Sequence, residues 1–330
     1  MMLPSRRLLL SCLLLILTSL LVALWSLRSG VVTLEFSQVL AALTGDAPRN
    51  VALVVTEWRL PRVLMALLIG AALGVSGAIF QSLMRNPLGS PDVMGFNTGA
   101  WSGVLVAMVL FGQHLAAISL AAIVGGVLTS LLVWLLAWRN GIETFRLIII
   151  GIGVRAMLVA FNTWLLLKAS LETATAAGLW NAGSLNGLTW AKTWPAAPLI
   201  ALALLAAALL VRRLRLLEMG DDSACALGVP VERSRLLLML VAVVLTAAAT
   251  ALAGPISFVA LVAPHIARRL SGTARWGLTQ AALCGALLLV LADLCAQQLF
   301  LPYQLPVGVV TVSLGGIYLI GLLIQESRKK

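Results

Sequence analysis

Side chains that ordinarily carry out chemistry are scarce in this chain of 330 residues. None of the four lysines follows a glycine-rich GxxxxGKS or GxxxxGKT loop, so the chain lacks the loop that cradles nucleotide phosphates. The two histidines are far apart, and the four cysteines show no CxxC or metal-ligand spacing. We therefore predict a chain that is not an enzyme, hydrolyses no ATP alone and binds no metal or cofactor. The residues concerned are Lys168, Lys192, Lys329, Lys330, His114, His265, Cys12, Cys225, Cys284 and Cys295.

The composition places the chain in a lipid bilayer. Hydrophobic residues make up 61% of it and charged residues 11%, with a mean hydropathy of +1.04. A soluble domain carries about 25% charged residues, so this chain cannot cover itself with a polar surface. A spanning helix needs about 20 apolar residues, so the longest charge-free runs each hold two spans. The runs are Leu8–Leu27, Val63–Met84, Val93–Trp138, Thr193–Val211, Leu236–Ala267 and Leu294–Gln325.

These runs predict an all-α polytopic membrane protein with about ten transmembrane helices in one domain over residues 1–330. Helices satisfy their own backbone hydrogen bonds in lipid, and the alternating pattern of a membrane barrel is absent. The long runs are expected to break at three Gly- or Pro-containing stretches, Phe111–Leu115, Ala253–Pro255 and Leu301–Pro306. The first run is expected to remain as an uncleaved span, because its apolar core exceeds that of a signal peptide.

The distribution of positive charge predicts the orientation. With an even number of spans and a cytoplasmic N-terminus, one of the 23 Arg and Lys residues is intramembrane, six are outside and sixteen are cytoplasmic. This is the positive-inside bias, so both termini are predicted to be cytoplasmic. The net charge of +11 thus reflects topology and indicates no nucleic-acid partner. The six outer residues are Arg28, Arg49, Arg59, Arg62, Lys168 and Lys192.

Two ionisable residues, Arg155 and Asp293, are predicted to lie well inside the membrane. Such residues are costly there and usually face a bundle interior or a water-filled path. Arg155 lies nine residues beyond Arg146, which at ~1.5 Å per residue places it ~13 Å deep. For Asp293 two interpretations stay open, a structural pairing or helix-end hydrogen bond, and a direct role in transport.

A polar segment over about residues 213–235 interrupts the apolar sequence and is predicted to be cytoplasmic, between the sixth and seventh spans. Asp221 or Asp222 is expected to cap a short helix there, since helix N-termini favour negative charge. Gly228 fits the position that ends such a helix. Ala224 and Leu227 are three residues apart and are expected to share one apolar face.

Five motifs, taken in this order, carry a family resemblance. They are the stretch Arg59–Ala100 from RLPR to NTGA, LGVPVERSR at Leu227–Arg235, GPISFVALVAPHIARRLSG at Gly254–Gly272, LADL at Leu291–Leu294, and LPVGVVTVSLGG at Leu305–Gly316. The set resembles the permease subunits of ABC importers for iron–siderophore complexes, haem and vitamin B12. The resemblance covers Leu8 to Leu323.

The resemblance implies a vitamin-B12-importer-like permease fold in the cell inner membrane. It implies a second permease subunit around a central path, two cytoplasmic ATPase subunits that use ATP and Mg, and a periplasmic binding protein. The ligand it implies is a ferric siderophore, with the greatest likeness to permeases for catecholate complexes. Haem, cobalamin and hydroxamate complexes use the same scaffold, so the ligand stays open.

The resemblance also assigns roles at the outer rim and at the first cytoplasmic turn. Arg59 and Arg62 resemble the sockets that receive acidic residues of the binding protein. The family has a further arginine at the position that Gln297 occupies in this chain. This difference points to an unequal, non-identical partner subunit. Asn86 and Pro87 lie in a rigid turn that is either a second ATPase contact or only a tight turn.

The remaining roles concern coupling and the path. In the family, the segment holding Asp221, Asp222, Ala224, Leu227 and Gly228 resembles the coupling helix that inserts into a cleft of the ATPase.

The fifth span lines the family's path, and a small residue is usual where Arg155 stands. We therefore predict that Arg155 and Asn162 line the path for an anionic complex, because guanidinium suits oxygen-rich ligands. The other interpretation is a hydrogen bond from Arg155 to a carbonyl or to Asn162.

Two other classes of protein make different predictions. A gradient-driven secondary transporter needs carboxylates at mid-membrane, and this chain offers at best Asp293. A structural subunit of a membrane enzyme would cluster cofactor ligands, and the sequence has no such cluster.

Overall fold

The computed structural model describes residues 6–30, 32–112, 114–138, 144–272 and 277–327. These residues form α-helices joined by short connections, with no β-strand among them. A π-helix, Leu53–Arg59, runs into the fourth α-helix, and a 3₁₀ helix, Pro91–Met94, precedes the fifth. The α-helices are α1 (Arg6–Arg28), α2 (Phe36–Thr44), α3 (Arg49–Ala52), α4 (Leu60–Met84), α5 (Phe96–Phe111), α6 (Leu115–Ala137), α7 (Thr144–Lys168), α8 (Leu171–Asn181), α9 (Trp190–Glu218), α10 (Asp221–Ala226), α11 (Val231–Ala253), α12 (Val259–Ser271), α13 (Leu278–Gln298) and α14 (Val307–Ser327).

The all-α polytopic fold is confirmed. Seven described helical stretches are long and apolar enough to cross a membrane, namely α1, the continuous stretch Arg49–Met84, α6, α7, α9, α11 and α13. Two further apolar stretches, α5 and Val307–Leu322 of α14, are shorter. Together with the 13-residue α12 they agree with an approximate number of ten helices in the bundle.

The three expected interruptions are confirmed. α5 ends at Phe111 and α6 begins at Leu115, and α13 and α14 are separated by the stretch around Leu301–Pro306. α11 ends at Ala253, and the chain runs without helix to α12 at Val259. The short helices α2, α3 and α8 were not predicted, because each is too short and too mixed in composition to stand out from its flanking connection.

The helix α4 forms the centre of the bundle, and its glycines allow other helices to touch its backbone. A Cβ atom at Gly70 would lie 2.3 Å from the carbonyl oxygen of Gly285, and one at Gly74 would lie 2.1 Å from that of Ala281. At Gly77 the corresponding distance to the oxygen of Ala260 is 1.6 Å. Small residues at this spacing let helices approach closely, so α12 and α13 lie directly against α4.

The interruption between α11 and α12 is paired with protein rather than left to lipid. Ser184 donates its backbone N–H to Ala253 O at 2.6 Å, and Gly308 donates to Gly183 O at 3.0 Å. Gly254 has no room for a side chain, because a Cβ there would lie 2.3 Å from Trp180 O. Non-helical backbone at membrane depth persists only where protein covers it, and the end of α8 and the start of α14 provide that cover.

Some of the charge that predicts the topology lies outside the described residues. These residues are Arg139, Arg275, Arg328, Lys329 and Lys330, and both termini also lie outside the described residues. The cytoplasmic placement of the termini therefore stays a prediction.

Replacing Gly77 by Ala is expected to lower the thermal stability of the protein. The new methyl group cannot fit between α4 and Ala260 O, and overpacking of this kind costs about 1–3 kcal/mol. The matched control is Gly316→Ala in α14, where nothing lies within 4 Å of an added Cβ and helix propensity improves by up to ~1 kcal/mol. Melting temperatures in detergent test the pair, and equal values would contradict the close approach.

Candidate functional site

A cavity of about 570 Å³ opens beside the central helices. It lies between α5, α7, the end of α8, the interruption before α12 and the start of α14. Its lining is largely polar along α5 and α7 and includes Asn97, Thr98, Arg155, Asn162 and Thr163. Trp101 also lines it and stacks on Trp180 with ring centroids 6.1 Å apart.

One face of α7 supplies both residues predicted to line the path. Arg155 and Asn162 lie seven residues apart, two turns along the helix, and both border the cavity. Asn162 is buried, its amide nitrogen donates to Thr98 O at 3.5 Å, and its side-chain oxygen has no hydrogen-bond partner. The described residues contain no hydrogen bond between Arg155 and Asn162, so Arg155 keeps its position on the cavity wall without that contact.

Asp92 is a cavity residue that the sequence did not indicate. After the turn at Asn86 and Pro87, the chain folds back beyond Leu88 and packs against α4 and α7. A Cβ atom at Gly89 would lie 3.1 Å from Phe80 O, and one at Gly151 would lie 1.9 Å from Val93 O. Burial raises the pKa of Asp92, while the charge of Arg155 and the hydrogen bond donated by Asn97 oppose that rise.

Arg59 closes the C-terminus of α1. Its guanidinium donates to Leu27 O at 2.8 Å and to Arg28 O at 2.9 Å, and also to Val32 O. Helix C-termini leave carbonyls without partners, and a cation there also favours the helix dipole. Arg59 is therefore engaged in the fold, and its predicted role in docking stays a prediction.

Arg62 is engaged more deeply than an exposed socket would be. Its Nη2 lies 2.8 Å from Asp293 Oδ1, with side chains 13% and 0% exposed respectively. Gln297, which stands where the family has an arginine, donates to Asp293 Oδ2 at 2.8 Å. Asp293 thus forms the structural pairing that was one of its two interpretations, and the N-terminal part of α4 is tied to the C-terminal part of α13.

The short helix predicted in the polar segment exists, but its boundaries and cap differ from the prediction. Residues 213–218 belong to α9 and residues 231–235 to α11, so the connection is shorter than predicted. The N-cap is Gly220, and neither Asp221 nor Asp222 caps the helix. Gly228 follows the C-cap with a φ of +79° and donates to Cys225 O at 2.9 Å, which confirms it as the terminating residue.

The prediction that Ala224 and Leu227 share a face was wrong. Ala224 is 0% exposed and packs onto the bundle, whereas Leu227 is 60% exposed. Leu227 is the C-cap and lies beyond Ala226, the last residue of α10, so helical periodicity does not hold its side chain on the face of Ala224.

Asp221 cannot cap α10 because two arginines hold its carboxylate. Arg85 Nη2 lies 2.8 Å from Oδ1, and Arg235 Nη2 lies 2.9 Å from Oδ2. Arg85 also donates to Leu217 O at 3.3 Å. The end of α4, the end of α9, α10 and the start of α11 therefore meet at one carboxylate.

The turn predicted to hold a second contact lies next to this cluster. Asn86 accepts a hydrogen bond from Leu88 N within the turn at 2.9 Å, and Pro87 O lies 2.8 Å from His265 Nε2 of α12. Pro87 and Leu88 are exposed. The turn is therefore connected to α10 on one side and to α12 on the other.

The chain matches a known protein family over most of its length. Residues 14–325 match the model of the FecCD transport family. The chain belongs to the FecCD transport family.

Two relatives align with this chain over nearly their whole length, and their names give different ligands. The chain is 86% identical over 326 residues to the ferric enterobactin transport system permease protein FepG of Escherichia coli strain K12, covering 99% of each chain. It is 36% identical over 331 residues to the hemin transport system permease protein HmuU of Yersinia pestis, covering 98% of this chain and 97% of the relative.

A solved structure agrees with this assignment. It is the inward-facing conformation of a metal-chelate type ABC transporter, with a TM-score of 0.82 and 29% identity, covering 96% of this chain and 98% of that one. The chain is thus a multi-pass permease of the FecCD family, and its homologues are transport proteins rather than enzymes.

Removing one partner of the Arg62–Asp293 pair is expected to destabilise the protein. Asp293→Ala should cost about 3–5 kcal/mol, because it leaves a nearly buried guanidinium without its counter-charge. The double variant Arg62→Met with Asp293→Leu should recover much of that loss. Thermal melting measures the series.

The matched control is Gln304→Ala, which removes only the exposed 3.1 Å contact to Arg62 Nη1 and should cost less than about 0.5 kcal/mol. A single Arg62→Ala variant that melts like the wild type would contradict the structural role.

Neutralising Asp221 is expected to loosen the cluster that it forms with Arg85 and Arg235. Asp221 is 47% exposed in its side chain and Arg235 12%, so the ion pairs together contribute roughly 1 kcal/mol. Hydrogen exchange should then rise about fivefold in residues 85–90 and 217–228 of the Asp221→Asn variant. Asp222→Asn is the control, since its exposed carboxylate lies on the same turn; equal changes in both variants would refute the assignment.

Proposed function

We propose that this chain is the transmembrane permease subunit of an ABC importer that moves ferric enterobactin across the cell inner membrane. The observation that carries the proposal is the 86% identity to the E. coli ferric enterobactin permease over 99% of both chains. The hemin permease shares only 36% identity at similar coverage, which favours a siderophore over haem.

The charges of the cavity support an anionic ligand. Ferric catecholates keep a net negative charge and present a ring of oxygen atoms, and a guanidinium binds such groups well. Arg155 lies about eleven residues into α7, ~16 Å along its axis. A basic side chain at that depth is expensive unless it serves a ligand or a partner, and on this proposal it serves the passing chelate together with Asn162.

The proposal includes energy from ATPase subunits in trans. α10 would insert into a cleft of the ATPase with Leu227 as the exposed apolar contact, and the turn of Asn86 and Pro87 would form the smaller contact beside it. The ion pairs of Asp221 and the contact between Pro87 and His265 support transmission of that motion, because they connect α10 with α4 and α12. ATP and Mg would be bound by the partner alone.

The other partners follow the family pattern. A second, non-identical permease subunit would pack against the exposed apolar faces of α7 and α14, which include Met157, Leu167 and Ile317. A periplasmic binding protein would dock at the outer rim near Arg59 and Arg62, with both termini of the permease in the cytoplasm. Gln297 is buried and stands where the family has an arginine, so this subunit offers one arginine fewer to the binding protein. That difference supports a partner permease subunit with a different sequence.

A gradient-driven secondary transporter is disfavoured by one contact. Asp293 was the carboxylate best placed for proton or sodium coupling, and it is held by Arg62 and Gln297 at 2.8 Å each. A carboxylate neutralised in this way is poorly suited to bind and release a cation in each cycle.

Uptake of radiolabelled iron tests the proposed function. A strain that lacks only this chain should lose uptake of ferric enterobactin and regain it when the chain is supplied. Haem and cobalamin uptake should be unaffected in the same strain. A second strain lacks the ATPase instead of this chain, and uptake that persists in it would reject the proposal. Loss of haem uptake rather than catecholate uptake in the first strain would also reject it.

A further inference from the structure

The cavity contains one cation and one carboxylate. Among its described lining residues, Arg155 and Asp92 are the only charged side chains. The other polar groups are amides and hydroxyls, which carry no net charge. The balance between these two residues therefore decides how strongly the cavity attracts an ion.

The fold brings the two charges together by a close backbone contact. The carbonyl of Val93 lies against Gly151, where an added Cβ would be 1.9 Å away. Gly151 is one helical turn before Arg155 on α7, so both residues lie on the same face. Asp92 precedes Val93 and is thus held on the part of the cavity wall that Arg155 occupies.

Asp92 is fixed in this position by its neighbours. The Asn97 amide donates to its Oδ1, and Asn97 Oδ1 in turn accepts from Thr250 Oγ1 at 3.4 Å. This chain of contacts joins the 3₁₀ helix, α5 and α11. A carboxylate held by such a network keeps its place when the solute in the cavity changes.

A transit site must bind its ligand well enough to admit it and weakly enough to release it. An unopposed guanidinium in a partly dehydrated cavity would hold a polyanion strongly, because charges interact more strongly away from water. A fixed carboxylate on the same cavity wall competes with the polyanion for that guanidinium, so the ligand is held less tightly than by an unopposed Arg155. Elements that oppose binding set affinity as effectively as attractive ones.

We propose that Asp92 is the resident counter-charge of Arg155 and that it sets the release rate of a polyanionic, oxygen-rich ferric chelate from this cavity. The proposal rests on the proposed function for the identity of the ligand. Asp92 then acts as a specificity-determining residue, with Arg155 providing the attraction and Asp92 limiting it.

The test uses the assembled importer in nanodiscs and a radiolabelled ferric catecholate. Asp92→Asn keeps the size of the side chain and removes its charge. We expect the chelate to dissociate at least tenfold more slowly than from the wild type, with slower uptake at saturating ligand. Asp46→Asn, the same change at an exposed carboxylate outside the cavity, should leave both rates unchanged.

A second variant shows whether charge causes the effect. In an Arg155→Met background, Asp92→Asn should no longer slow dissociation, because the guanidinium that it balanced is gone. Slow dissociation that persists in the double variant, or wild-type dissociation in Asp92→Asn alone, overturns the proposal. If Asp92→Asn does not assemble, Asp92→Glu retains the charge and should release at the wild-type rate, and slow release from it also counts against the proposal.

The wild-type complex is measured first so that two failures stay separate. A wild-type importer that takes up no ferric catecholate refutes the proposed function. Wild-type uptake combined with unchanged release in Asp92→Asn rejects only the role of Asp92.

Discussion

The backbone contact between α4 and its neighbours is the constraint on which the rest of the structure depends. Gly70, Gly74 and Gly77 let α12 and α13 lie against the α4 main chain with no side chain between them. Lipid supplies no hydrophobic driving force between helices, so this close packing provides much of the attraction. Once α12 and α13 are fixed in this way, Asp293 reaches Arg62 at one end and His265 reaches Pro87 at the other.

Satisfying polar groups without water explains the irregular parts of the molecule. The chain between α11 and α12 leaves helical geometry, yet Ser184 donates a backbone hydrogen bond to Ala253 O at the end of α11. The guanidinium of Arg59 does the same for the end of α1. Each unpaired group would cost several kcal/mol in hydrocarbon, so these contacts are as necessary to the fold as the apolar core.

The composition and the positions of Gly and Pro were sufficient to predict the helical bundle. Charge-free runs located the spans, and Gly or Pro at Ala253–Pro255 located the break before α12. Long-range pairing was beyond the reach of local pattern. Asp221 looked like a helix cap because its sequence neighbours suit one, but Arg85 lies 136 residues away and takes the carboxylate. Asp92 was missed for the same reason, since the long-range contact of Val93 with Gly151 brings it to the cavity.

The helix α4 is held near both ends and in its middle. Arg62 fixes its N-terminal end to α13, Arg85 fixes the residue after its C-terminal end to α10, and the glycine face fixes the centre. A helix tied at three points cannot shift independently of its neighbours. A displacement of α10 must therefore either move α4 together with α12 and α13 or break one of these contacts.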